Sequence, residues 1–183
     1  MTDVVGLVLA AGAGTRFGGP KALARTPDGE PWIARAVSTL LQGGCDAVLV
    51  VLGAAAEEAA SLVPPEASTV VAERWRDGMG ASLSAGIAAL PEADSVLVSL
   101  VDLPELPVGV VERVLGAGLG RDVLARAVYG GRPGHPVLVG RDHWSGLRDT
   151  LRGDEGGRQY LEEHGAAHVE CGDLFTGSDV DRP

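Results

Sequence analysis

Between Leu9 and Lys21 the chain reads Leu-Ala-Ala-Gly-Ala-Gly-Thr-Arg-Phe-Gly-Gly-Pro-Lys, and Lys21 is the only lysine in the sequence. Small residues let a backbone approach an anion closely and turn successive N–H groups toward one point, while Arg16 and Lys21 bring charge that neutralises a polyphosphate. The stretch therefore reads as a phosphate cradle, with Leu9, Ala10, Ala11, Gly12, Gly14, Arg16 and Lys21 as its nucleotide contacts. Two familiar phosphate loops do not fit. A Walker loop needs Gly-Lys-Ser/Thr, whereas here Pro20 precedes Lys21 and Ala22 follows it; a dinucleotide fingerprint needs its third glycine where Phe17 stands, one residue before Gly18.

Further motifs lie at the ends of apolar runs. In Val98-Ser99-Leu100-Val101-Asp102-Leu103-Pro104, a carboxylate at the carboxyl end of a buried strand is placed either to hold Mg²⁺ with phosphate oxygens or to cap a helix starting near Pro107. In Gly78-Met79-Gly80-Ala81-Ser82 a loop enters a helix, where free N–H groups and the Ser82 hydroxyl can meet a base or a phosphate; equally, Asp77 or Ser82 can cap that helix. Gly134-His135-Pro136, the loop Arg152 to Arg158 and the run Ser178-Asp179-Val180-Asp181-Arg182-Pro183 complete the set. By themselves His135 reads equally as a structural histidine and residues 152–158 as an acidic surface turn.

Taken together these motifs resemble a known family. The pattern from Ala10 to Lys21 is similar to the signature of nucleotidyltransferases that move a nucleoside monophosphate out of a nucleoside triphosphate, and among these it looks most like the MobA/MocA-like enzymes, the molybdenum cofactor cytidylyltransferases and their guanylyltransferase relatives. The resemblance implies a metal-binding Asp102 in an Asp-x-Pro element, although Val101 stands where the family usually has Gly or Cys. It implies a base-facing role for Gly80 and Ser82, and an acceptor-side role for His135 and for Arg158 in a Gly-Asp-x-Gly-x-Arg loop. The last motif is similar to an Asp-Ile-Asp-Thr-Pro stretch, which implies a second metal ligand at Asp181, or else at Asp179. With the ligand this near the end of the sequence, order there is expected only with metal and nucleotide bound.

The activity so implied is Mg²⁺-dependent transfer of a nucleoside monophosphate to a phosphorylated acceptor with release of pyrophosphate, catalysed by Arg16, Lys21 and Asp102. CTP is the expected donor, because Ala10-Ala11-Gly12 stands where guanylyltransferase relatives show Ala-Gly-Gly, and molybdopterin is the expected acceptor. A molybdoenzyme or its maturation chaperone is the implied protein partner. Two other readings stay open: the same chemistry with GTP, or with a phosphosugar or phospholactate acceptor, and a non-catalytic accessory of cofactor maturation.

What must position these residues is an alternating α/β chain. Continuous apolar runs at Val4 to Ala10 and Ala47 to Leu52 have the character of strands covered on both faces. Further strands are predicted at Thr69 to Ala72, Ser95 to Leu100, Val123 to Val128, Pro136 to Val139 and Ala167 to Cys171. Helices are predicted at Trp32 to Leu41, Ala54 to Leu62, Gly80 to Leu90, Gly109 to Gly116 and Arg158 to His164. The order implies one domain over residues 1–183: a three-layer α/β/α, Rossmann-like, mostly parallel sheet with one antiparallel strand, of the nucleotide-diphospho-sugar-transferase type the resemblance suggests.

Composition narrows the partners. With 15 basic and 25 acidic side chains the net charge is −10, which argues against a nucleic-acid groove but not against a local site for a small polyanion. Cys45 and Cys171 follow no ligand spacing, so a reducing cytoplasm is the expected setting. No apolar stretch approaches the ~18 residues of a membrane span. Aromatic residues are only 4% of the chain, so the core must be built from Val, Leu and Ala.

Overall fold

The computed structural model describes residues 3–154 and 156–181. Along them run β1 (Val4–Ala10), α1 (Trp32–Gln42), β2 (Ala47–Leu52), α2 (Ala56–Ala60), β3 (Ala67–Val71), α3 (Met79–Ala88), β4 (Ser95–Leu100), α4 (Val108–Leu115), β5 (Leu124–Tyr129), β6 (Arg132–Gly140), α5 (Trp144–Thr150), α6 (Arg158–Glu163) and β7 (Ala167–Glu170). The strands form one sheet in the order β3-β2-β1-β4-β6-β5-β7. β6 is antiparallel to both of its neighbours, and every other pairing is parallel. The expected α/β sheet with one antiparallel strand is therefore what the chain forms.

Side-chain alternation along the strands divides the interior into two layers. Val4, Val8 and Ala10 of β1, with Val48, Val50 and Leu52 of β2, face a core closed by Ile33, Val37 and Leu40 of α1 and by Val110, Val111 and Val114 of α4. Val5, Leu7 and Leu9, with Leu49 and Val51, face the opposite core, closed by Leu83 and Ile87 of α3, Leu147 of α5 and Leu161 of α6. Central strands buried on both faces need apolar residues at every position, and this is why their runs are continuous in the sequence. Each fully buried Leu or Val contributes about 1.5–3 kcal/mol, so this double layer is the main source of stability.

Connections depart from β1 toward β2 and β3 on one side and, later, toward β4 on the other. That reversal leaves a crevice at the carboxyl ends of β1 and β4, where open α/β sheets bind ligands. The parallel register sets Leu9 beside Leu100, and Val101 N–H donates to the Leu9 carbonyl at 3.1 Å. The glycine-rich loop and Asp102 thus emerge side by side.

Several boundaries differ from those predicted. α2 begins at Ala56 because Ala55 adopts a left-handed conformation, φ 55°, which a helix cannot continue. α5 was not foreseen, since Leu147 is its one buried residue and Gly146 interrupts any apolar repeat. β6 starts at Arg132 rather than Pro136: Pro133 and Pro136 lack N–H donors, so the run does not read as a strand, and Gly134-His135-Pro136 lies inside it instead of before it. Arg182 and Pro183 of the last motif, and Glu155 of the loop at 152–158, lie outside the described residues. Among the described residues no helix is long and apolar enough to cross a membrane.

Candidate active site

A cleft of about 600 Å³ opens at the crevice between β1 and β4. Leu9, Ala10, Ala11, Gly12, Gly14, Arg16, Lys21, Ser82, Asp102, Asp179 and Asp181 all line it, which brings most of the sequence-derived candidates into one place. Among the nucleotide and metal candidates Gly80 is the exception. It is buried in the first turn of α3 and its N–H donates to the Gly153 carbonyl at 2.9 Å, so Gly78 and Met79 take its place on the wall.

The loop after β1 is built on Gly14. Its carbonyl accepts the N–H groups of Phe17, Gly18 and Gly19 at 2.9, 3.0 and 3.1 Å. The amides of residues 12–16 have no acceptor among the described residues, and these are the ones able to meet phosphate oxygens. Gly14 has φ +59°, and a Cβ there would overlap the Gly19 carbonyl oxygen. Gly14→Ala must therefore open the turn. We expect it to stay folded but to weaken nucleoside triphosphate binding roughly tenfold or more, the effect of misdirecting charge-assisted hydrogen bonds; a binding titration beside a thermal melt checks this.

Lys21 stands at the centre of the charges. Its ammonium donates to Asp102 Oδ2 at 2.8 Å and to Asp181 Oδ1 at 3.1 Å. Burial disfavours that ammonium, but the hydrogen bonds and charges of Asp102 and Asp181 together outweigh burial and raise the Lys21 pKa above its ordinary value. Arg16, by contrast, is largely exposed and reaches Asp181 only at 3.7 Å.

The carboxylates arrive by two routes. Asp102 follows β4 and does not cap α4, whose first turn is preceded by Pro107 with no side-chain cap. The segment after β7 returns across the sheet, and Val180 N–H donates to the Asp102 carbonyl at 3.0 Å. Val180 packs on the core, and alternation then sends Asp179 and Asp181 to the same side, toward Asp102. Both residues left as alternatives come beside Asp102: one carboxylate oxygen from each of Asp102, Asp179 and Asp181 lies within 4.8 Å of the others. Gly177, at φ 74°, lets this segment cross directly over the Tyr129 ring, where a Cβ would collide.

These residues fit a divalent cation. Carboxylate oxygens are the ligands that Mg²⁺ and Mn²⁺ prefer. Asp102 Oδ1 is buried and has no hydrogen-bond partner among the described residues, a cost that a cation would remove.

His135 and Arg158, the acceptor-side candidates, line a second cavity of about 220 Å³. Leu9, Met79 and Asp154 border both cavities, so the two adjoin. Burial, helped by the nearby Arg126 charge, pushes the His135 pKa down to about 4. Below the ordinary value of 6.5 the unfolded chain takes up a proton that the folded one refuses, so stability is lost as pH falls from 6.5 toward 4. In urea titrations across that range, His135→Gln is expected to show a shallower decline than the parent chain; identical slopes would remove the shift.

Trp75 and Arg76 also line the first cleft, and Arg126 the second, although the sequence motifs assign them no role; Asp154, the aspartate of the Gly-Asp-x-Gly-x-Arg loop, borders both. A signal existed for Arg126, a charge in an apolar run.

A seven-stranded, mostly parallel sheet with helices alongside is the fold of nucleotidyltransferases of the nucleotide-diphospho-sugar-transferase type. The chain belongs to the family described as MobA-like NTP transferase domain, which matches residues 6–169. It is 37% identical over 190 residues to a Paenarthrobacter nicotinovorans protein named Nicotine blue oxidoreductase, covering 97% of this chain and 92% of the other. The crystal structure of Rv0371c from Mycobacterium tuberculosis H37Rv superposes with a TM-score of 0.84 at 26% identity, over 99% of this chain and 94% of that one. The same mycobacterial protein solved in complex with manganese gives a TM-score of 0.74 at 25% identity, over 93% and 88%. A nucleotidyl transferase from Methanothermobacter thermautotroptrophicus shares the fold at a TM-score of 0.81 and 22% identity, over 100% of this chain and 93% of that one.

Proposed function

We propose that this protein transfers cytidine monophosphate from CTP to molybdopterin in the cytoplasm, releasing pyrophosphate, with Mg²⁺ as its cofactor. The observation that carries this reading is the Lys21 ammonium held between Asp102 and Asp181 beside a loop with unengaged amides. Its location supports the chemistry: a cationic group, a carboxylate cluster and free N–H donors share one cleft.

In the proposed reaction an oxygen of the acceptor phosphate bonds to the α-phosphorus while the bond to the β-bridging oxygen breaks, and pyrophosphate departs. A phosphate monoester with a second pKa near ~6 is already mostly dianionic at neutral pH, so the attack needs no side-chain base. Lys21, Arg16 and the amides of residues 12–16 hold the triphosphate in line and neutralise charge that grows on the leaving group. Asp102, Asp179 and Asp181 would hold the metal, which when bound spreads positive charge over the phosphate oxygens. Ser82, on the wall of the cleft, would face the nucleoside, and Ala11, standing where guanylyltransferase relatives show Gly, supports cytidine over guanosine.

A pyrophosphate-release assay with each of the four NTPs, with and without molybdopterin and Mg²⁺, tests this reading. Turnover with CTP only when molybdopterin is present is the expected result. Turnover only with GTP or with another phosphorylated acceptor would replace donor or acceptor, and binding of nucleotide without turnover would point to the accessory role. The name of the Paenarthrobacter relative favours a second reading, oxidation–reduction chemistry on the same fold. Consumption of a nicotinamide hydride donor, with no pyrophosphate released under any condition, would select it.

A further inference from the structure

Arg126 interrupts β5 where alternation calls for an apolar side chain. Its neighbours on the same face, Leu124, Val137 and Val139, belong to the apolar core beneath α3, α5 and α6. The residue is only 7% exposed, and its Nε and Nη1 are shielded from solvent without a hydrogen-bond partner among the described residues. A buried guanidinium with unmet donors is costly and is rarely retained without an acceptor. Among the described residues nothing supplies one. Arg126 lines the smaller cavity, whose walls are otherwise mainly aliphatic, so the cavity offers a greasy chamber with a positive charge in its wall.

Arg158 lines the same cavity as a second cation, and the one carboxylate whose charge favours the Arg126 guanidinium, Glu162, makes no hydrogen bond to it. Glu162 of α6 is engaged by Arg158 at 2.8 Å. His168 pairs in register with Arg126 from β7, and His135, from β6, faces the same cavity as a neutral ring. Asp154 sits on the border with the larger cleft. β6 alone separates β5 from β4, which places Arg126 two interstrand spacings, about 10 Å, from the strand that carries Asp102. That is too far for contact with the phosphate under attack.

We infer that Arg126 is a specificity-determining residue that anchors a second anionic group of the acceptor, remote from its reacting phosphate. The inference takes the smaller cavity as the acceptor subsite of the transfer proposed above. The guanidinium gives the acceptor two hydrogen bonds from a fixed fork, and the aliphatic walls hold its body. An acceptor with its reacting phosphate at one end and an acidic group at the other fills both places.

The test needs no turnover. Benzoate, phenyl phosphate and the neutral benzamide are titrated against the full chain by calorimetry without nucleotide or metal, using the parent protein, Arg126→Leu and Arg126→Lys. We expect at least one of the two anions to bind the parent protein, to lose tenfold or more on Arg126→Leu, and to bind more tightly than benzamide; comparing the two anions separates carboxylate from phosphate recognition. Arg126→Lys keeps a cation and is expected to retain the preference for the anion at reduced affinity, which also covers a leucine variant that fails to fold. The inference is overturned if neither anion binds, if the anions bind parent and Arg126→Leu alike, or if benzamide binds as well as they do. Arg126-dependent anion binding in a protein that releases no pyrophosphate from any NTP would overturn the transferase reading and leave the anion site standing.

Discussion

Lys21→Ala lowers turnover by roughly 10²-fold or more while the protein remains folded, the scale seen when one preorganised electrostatic donor is removed from a charged transition state. No neighbour substitutes for it. Arg16 is 84% exposed and 3.7 Å from Asp181, so it lacks both the burial and the contact with Asp102 that Lys21 has. The cost to the fold is about 1.5–3 kcal/mol for the hydrogen bond to Asp102 and less for that to the half-exposed Asp181, against a total of about 5–15 kcal/mol for a domain. Removing the ammonium also leaves Asp102, Asp179 and Asp181 facing one another within 4.8 Å. The metal-free variant is therefore expected to melt lower than the parent protein, and Mg²⁺ to recover a larger part of the loss than it adds to the parent. Pyrophosphate release and paired melts with and without Mg²⁺ check both halves; full turnover in a folded Lys21→Ala protein would sink the assignment.

Asp102→Asn is expected to cost about 10²–10³-fold in turnover with little change in the metal-free melting temperature. The substitution preserves shape and leaves an acceptor for Lys21, but it removes the charge that a divalent cation needs. Of the three carboxylates only Asp102 has a buried oxygen without a partner. Its loss should abolish thermal stabilisation by Mg²⁺, and chelation of the parent protein should reproduce the variant's rate. Asp179→Asn and Asp181→Asn, which change the more exposed carboxylates, should instead raise the Mg²⁺ concentration needed for half-maximal rate. An Asp102→Asn protein with normal turnover and normal response to Mg²⁺ would remove the metal role.

How much of this was legible beforehand depends on the range of the interactions involved. β1, β2 and β4 have the bounds read from the sequence, because strands covered on both faces leave uninterrupted apolar runs. β3, α5 and the first half of β6 were misjudged, because an edge strand, a helix with one buried residue and a proline-bearing strand leave no such record. Gly80 was placed on the cleft wall from its motif, yet its N–H serves the Gly153 carbonyl, a contact between distant loops. Arg126 stood in plain view as a charge among apolar residues, but only the closure of β5, β6 and α6 around a cavity gives it a use.

By itself the sequence determined the alternation of strands and helices, the glycine turn with its single lysine, and the carboxylate at the end of β4. Each follows from forces acting over a few neighbouring residues: side-chain periodicity, glycine's access to positive φ, and the need for polar groups to leave a buried strand. The tertiary structure alone decided which carboxylates cluster beside Lys21 and what the Arg126 charge faces. Lys21 meets Asp102 across 81 positions and Asp181 across 160, and contacts of that separation exist only after the sheet has ordered its strands and Val180 has docked against its core.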